Sequence, residues 1–148
     1  EKLANEVMEH DGLQELDIDD NTVTDVGATA LANLLNTSDH SIKSLSMESN
    51  QIGAEGAVAL ADALATNQFL EKFFIGNNRI GAEGAEDIAN ALTTNQSLRI
   101  LGIHGNQIGP EGALAIANAL DTNQSLVDMN ISENQIGDQG ALAIAGAL

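Results

Sequence analysis

Carboxylates and histidines are the groups in this sequence whose type and spacing invite a chemical reading. There are 22 Asp and Glu, three His and no Cys in 148 residues. Without cysteine there is no disulfide, no thiolate metal ligand and no thiol nucleophile. Asp17-Ile18-Asp19-Asp20-Asn21, followed by Asp25, has the outline of a calcium loop. The fit fails, because Thr22 stands where the loop needs Gly and Ala28 where it needs a bidentate Glu. His104 is a candidate titrating group or metal ligand. Strand spacing places Glu48 about 9–10 Å from it, too far for a shared ion without a third ligand. His104 is therefore expected to be a surface histidine, and His10 and His40 to face solvent in loops. No Ser, His and acid converge on one pocket. The GAEGA turns lack the lysine of a phosphate loop and recur along the chain, so they belong to the scaffold. Neither an enzyme, nor a metal site, nor a cofactor is expected.

The charge balance narrows the partners. Five Lys and Arg against 22 acids leave a net charge of −17. Such a field repels phosphate and anionic lipid, so nucleic acid and membrane surfaces are disfavoured. No apolar run approaches the ~20 residues of a membrane span. Together with the lack of cysteine and of a signal segment, this gives a weak expectation of a cytoplasmic setting. Hydrophobic residues make up 43% of the chain but aromatics only 2%, so the core must be built from Leu, Ile and Ala.

The elements that must position these groups are set by a repeat. Asn50, Asn78, Asn106 and Asn134 lie 28 residues apart, and Asn21 lies 29 before Asn50. The extra residue falls in Ser38-Asp39-His40. Each Asn ends one pattern, apolar-x-x-apolar-x-apolar-x-x-Asn. The copies are Leu13/Leu16/Ile18, Ile42/Leu45/Met47, Leu70/Phe73/Ile75, Leu98/Leu101/Ile103 and Leu126/Met129/Ile131. Residues 106–120 and 134–148 agree at 12 of 15 positions. Tandem units of this length imply a repeat array in which each unit packs on its neighbours. We divide the chain as one domain, 1–148, with repeats at 9–37, 38–66, 67–94, 95–122 and 123–148.

Within a unit, inward residues two apart, such as Leu16 and Ile18, share one face of a short strand. Strands of successive units are expected to stack in a parallel sheet. A Gly-bearing turn follows, for example Ile52-Gly53-Ala54-Glu55-Gly56. Then Ala57, Leu60, Ala61 and Leu64 make a helical stripe. Ala28/Leu31/Ala32/Leu35, Ala85/Ile88/Ala89/Leu92, Ala113/Ile116/Ala117/Leu120 and Ala141/Ile144/Ala145/Leu148 repeat it. Val58, Ala59, Asp62 and Ala63 are expected on the outer helical face, as are Leu114, Ala115, Asn118 and Ala119. Asn67, Asn95 and Asn123 suit the left-handed position after a helix. Glu55, Glu83 and Glu111 suit helix starts. Residues 1–8 read as the tail of an earlier helix, and Leu148 as the last inward residue of the fifth. The chain starts at Glu1-Lys2 and shows no distinct polar cap, so a fragment of a longer protein or an engineered piece is expected about as readily as a whole one.

This pattern resembles the leucine-rich repeat. It is most similar to the long 28/29-residue type of ribonuclease inhibitor, NOD-like receptors, Ran GTPase-activating protein and tropomodulin. Ile42-Lys43-Ser44-Leu45 and Glu48-Ser49-Asn50 look similar to tropomodulin repeats, largely at scaffold positions. The resemblance implies an α/β horseshoe arc with a parallel β-sheet on the concave face and α-helices on the convex face. It also implies that Asn21, Asn50, Asn78, Asn106 and Asn134 form a ladder bonded to buried backbone at the strand exits, the role that polar satisfaction already suggests.

Strand positions pointing away from the core then line the concave surface. Their columns are Glu15, Ser44, Lys72, Ile100, Asp128; Asp17, Ser46, Phe74, Gly102, Asn130; Asp19, Glu48, Gly76, His104, Ser132; and Asp20, Ser49, Asn77, Gly105, Glu133. They follow no common rule, which is where partner contacts are written. Phe74 and Ile100 offer an apolar anchor, with Gly76 and Gly102 expected to leave backbone open beside them. Lys72, His104 and the acids Asp17, Asp19 and Glu48 complete the candidate partner-binding set. Leu114 and Leu142 are candidates for self-association on the convex side. The expected function is a non-catalytic protein-interaction module. The alternatives are a self-assembling or engineered scaffold, or the sensing or regulatory region of a larger receptor or of an actin or GTPase regulator.

Overall fold

The computed structural model describes residues 12–37 and 42–148. The expected helix tail at 1–8, His10, His40 and the Ser38-Asp39-His40 insertion lie outside the described residues. Five strands alternate with five helices. The strands are β1 (Glu15–Asp17), β2 (Ser44–Ser46), β3 (Lys72–Phe74), β4 (Ile100–Gly102) and β5 (Asp128–Asn130). The helices are α1 (Asp25–Leu35), α2 (Ala54–Thr66), α3 (Gly81–Leu92), α4 (Gly109–Leu120) and α5 (Gly137–Ala147). The strands form one parallel sheet in chain order, and the expected rows face each other in register: Leu16, Leu45, Phe73, Leu101 and Met129 are successive partners.

The core lies between sheet and helices. Leu45, Met47, Phe73, Ile75, Leu101 and Ile103 enter it from the strands, and Leu60, Leu64, Ile88, Leu92 and Ile116 from the helices. Small residues let neighbouring helices approach closely. A Cβ on Gly84 would stand 2.8 Å from that of Ala57, and one on Gly140 2.8 Å from that of Ala113. Real Cβ atoms do not meet at that distance, so the second glycine of each turn is a packing requirement between units. The first interface adds a polar tie: the Asp25 carboxylate accepts from the backbone N–H of Gly53 and Gly56 and so caps α2 from the neighbouring unit. Each helix has an acid in its first turn and no basic residue in its last.

The asparagine ladder has the geometry its chemistry suggested. The Asn78 amide donates to the carbonyls of Ile75 and Gly76 in its own turn and of Met47 in the preceding unit, while its oxygen accepts from Ile52 N–H. Asn50, Asn106 and Asn134 repeat the pattern. Asn21 is exposed and, among the described residues, bonds Ile18 and Asp19 of its own turn.

Four expectations are corrected. Asn67 is extended, at φ −72° and ψ 129°, rather than left-handed. Its amide, like those of Asn95 and Asn123, reaches carbonyls in the last turn of the preceding unit's helix (Leu35, Leu64 and Leu92), while its oxygen accepts from N–H groups of the segment leading into the next strand (Leu70, Leu98 and Leu126). These three form a second ladder, at the helix exits. Positive φ falls instead on one turn column, Asp20, Ser49, Asn77, Gly105 and Glu133, with φ between 54° and 65°, and also on Gln107, Gln135, Gly12, Gly81, Gly109 and Gly137. That column is therefore the turn before each ladder asparagine and not strand surface. Ala63 and Ala119, expected on the outer helical face, are buried. Finally, the fifth stripe is open: Ala141 and Ala145 are exposed and Leu148 is 92% exposed. Among the described residues no further unit packs against α5.

Candidate functional site

The outward residues of β2 to β5 enclose a shallow depression of about 430 Å³ on the sheet face. Its lining includes Ser46 and Glu48 from the second unit, Phe74 from the third, Ile100, Gly102 and His104 from the fourth, and Asp128 and Asn130 from the fifth. Strand register explains the grouping. Phe74 is the direct partner of Gly102, Ile100 of Asp128, and Gly102 of Asn130.

The two sheet-face glycines are not bare backbone, contrary to expectation. A Cβ on Gly102 would lie 2.7 Å from Phe74 Cδ1, so the half-buried ring takes the space that a side chain on the fourth strand would fill. In the same way the His104 ring covers Gly76, where a Cβ would collide with it. Glycine here makes room for an aromatic side chain from the neighbouring strand.

The expected separation of His104 and Glu48 is also corrected. His104 Nδ1 lies 3.7 Å from Glu48 Oε1. Backbone spacing alone had kept them apart, but both side chains lean over the intervening glycine. The Asn77 amide lies 3.2 Å from His104 Nε2. With that amide donating, the imidazole proton sits on Nδ1 and faces the carboxylate. Nδ1 is buried and has no hydrogen-bond partner, Glu48 lying just beyond bonding distance. Among the described residues no group of three or more His, Asp and Glu gathers to hold a metal ion.

The other named residues sit apart from this hollow. Lys72 is exposed on β3 beside Ile100 and does not line it. Asp19 is committed to the scaffold: its Oδ1 accepts from Ser46 Oγ at 2.7 Å and from Glu48 N–H at 2.6 Å, tying the first turn to the second. Asp17 is exposed and its carboxylate accepts from Asp19 N–H. Asp128 and Asn130 line the depression without having been singled out. Their signal was present in the columns, since each is one strand from a chosen candidate or its glycine partner. On the convex side Leu114 and Leu142 are 42% and 74% exposed. A small hollow of about 130 Å³ between α4 and α5 takes in Leu114 but not Leu142.

The array of strand, turn and helix, with an asparagine at each strand exit, defines a class. The family pattern described as Leucine Rich repeat matches residues 13–32, 38–61, 66–89, 94–117 and 122–145. The chain belongs to the leucine-rich repeat family. Among solved structures it is similar to leiomodin-1 actin-binding site 2, with a TM-score of 0.85, 19% identity, and coverage of 99% of this chain and 86% of that one. It is also similar to the tropomodulin C-terminal domain of Caenorhabditis elegans, with a TM-score of 0.81, 19% identity, and coverage of 99% and 89%. At that identity the likeness is one of fold. No curated protein sequence matches the chain. Among the described residues no helix is long and apolar enough to cross a membrane.

Proposed function

We propose that this chain is a non-catalytic protein-interaction module that receives a segment of a partner protein on its concave sheet face. The observation that carries this reading is the depression around Phe74, Ile100, Glu48 and His104. It is built from the side chains that the repeat leaves free to vary. The scaffold beneath is held by buried asparagines at the strand exits of the second to fifth units and at the helix exits between units, so little ordering remains to be lost on binding. A half-buried aromatic beside an aliphatic is a suitable anchor. Lys72, exposed beside Ile100, would discriminate among charged partners, and Asp17, at the far edge of the sheet, would contribute steering. The actin-binding site named for leiomodin-1 makes actin the first partner to assay.

The test is site-specific photo-crosslinking in lysate and with purified actin. A crosslinker at Ile100 captures a partner; one at the convex Leu142 does not. A Phe74→Ala variant loses the adduct. Capture from Leu142 alone would move the interface to the helices. There the exposed Leu114 and Leu142 favour a second reading, self-association. Light scattering across a concentration series tests it, and a strict monomer removes it.

A further inference from the structure

We propose that the depression seats one arginine side chain of a basic partner segment, its guanidinium lying on the Phe74 ring between the carboxylates of Glu48 and Asp128. The inference rests on the concave-face reading and names the chemistry that this face selects.

The geometry has three parts. The Phe74 ring fills the space beside Gly102, with Cδ1 2.7 Å from where a Cβ would stand, and it is half-buried, so part of it is open to a ligand. Flat aromatic faces attract cations, and a planar guanidinium stacks on them better than an ammonium does. Glu48 approaches the same spot from the second strand: its Oε1 is 3.6 Å from where a Cβ on Gly102 would be. The buried Nδ1 of His104 lies 3.7 Å from that oxygen, beside the carboxylate but not bonded to it. Asp128 stands on the opposite side, exposed and directly paired with Ile100, one strand spacing of about 4.8 Å away. Two carboxylates on either side of an aromatic ring match the forked donors of arginine, whereas a lysine supplies a single point charge. A purely apolar anchor would strip water from these carboxylates without pairing them. The whole-chain charge of −17 steers a basic segment inward. Lys72, beside Ile100, opposes such a ligand, so its removal is expected to tighten binding.

The probe is a blocked pentapeptide, Gly-Gly-Arg-Gly-Gly, titrated into the isotope-labelled protein and followed by backbone amide shifts. Its lysine and leucine counterparts are run at the same ionic strength. Saturable shifts are expected at Glu48 and at Ile100 to Gly102, with the arginine peptide at least fivefold tighter than the lysine peptide and no saturation with leucine. Glu48→Gln and Asp128→Asn, both on accessible side chains, should each weaken the arginine peptide at least fivefold with unchanged melting. Lys72→Ala should tighten it. Equal affinity for lysine, a preference for leucine, shifts spread over the acidic helix starts, or unaltered affinity in the two carboxylate variants would each overturn the proposal. If the arginine peptide fails while the Ile100 crosslink still forms, the arginine seat falls and the concave interface stands. If both fail, the concave reading falls with it.

Discussion

Residues 106–120 and 134–148 are nearly the same sequence in two places, and they have different fates. In the first, Ile108 and Ile116 are fully buried and Ala117 is 3% exposed. In the second, Ile136 and Ile144 are only partly buried and Ala145 is exposed. The residue chemistry is shared, so the difference lies in the neighbours. α4 packs between α3 and α5, whereas among the described residues α5 has a partner on one side only. A unit of this array does not bury its own apolar stripe; the adjoining units do. Stability is therefore a property of interfaces, and equal substitutions should have unequal effects.

The largest contrast is expected in the core stripe. Ile116→Ala should cost about 2–5 kcal/mol in chemical unfolding, as cavity formation in a closed core does. Ile144→Ala, at the equivalent open position, should cost less than about half of that, since a partly exposed side chain has less transfer free energy to lose. Equal costs would break the comparison. Next come the asparagines. Asn78→Ala orphans buried carbonyls and an N–H and should cost about 1–3 kcal/mol, against under about 1 kcal/mol for the exposed Asn21→Ala, both read from denaturant midpoints. The glycines sharpen it further, with opposite signs. Gly84→Ala pushes into Ala57 and should destabilise by about 1–3 kcal/mol. Gly146→Ala meets nothing within 4 Å and should gain up to about 1 kcal/mol of helix propensity. Phe74→Ala should have a small stability effect, about 1 kcal/mol for a half-buried ring, while partner capture is lost. A melting temperature as low as that of Ile116→Ala would make Phe74 a core residue.

Much of the scaffold was legible because the repeat states it several times. Leu45, Phe73 and Leu101 sit at one phase of a fixed period, and their inward direction follows from strand alternation. The strand-exit asparagines were legible because a buried turn leaves peptide groups that need partners. The helix-exit asparagines were misread, because Asn favours two solutions there, a left-handed backbone or a side-chain bridge, and only packing against the preceding unit selects the bridge. At the candidate site, the columns brought Phe74, Ile100, Glu48 and His104 to one face. What they did not contain was side-chain reach. Phe74 lies sideways because Gly102 gives it space, and His104 meets Glu48 because Gly76 does. Those are rotamer choices made between units, invisible to a reading that counts backbone spacing. Asp19 was misjudged for the same reason: its carboxylate is occupied by Ser46 and Glu48 across the unit boundary.

The five helices of the described residues run the same way beside a parallel sheet, so their backbone dipoles add instead of cancelling. One long edge of the molecule gathers five positive helix ends, each met by its own acid, and the other gathers five carbonyl ends with no cation in any final turn. The arc is thus electrically lopsided from edge to edge, and a positively charged body diffusing nearby is turned before it touches anything.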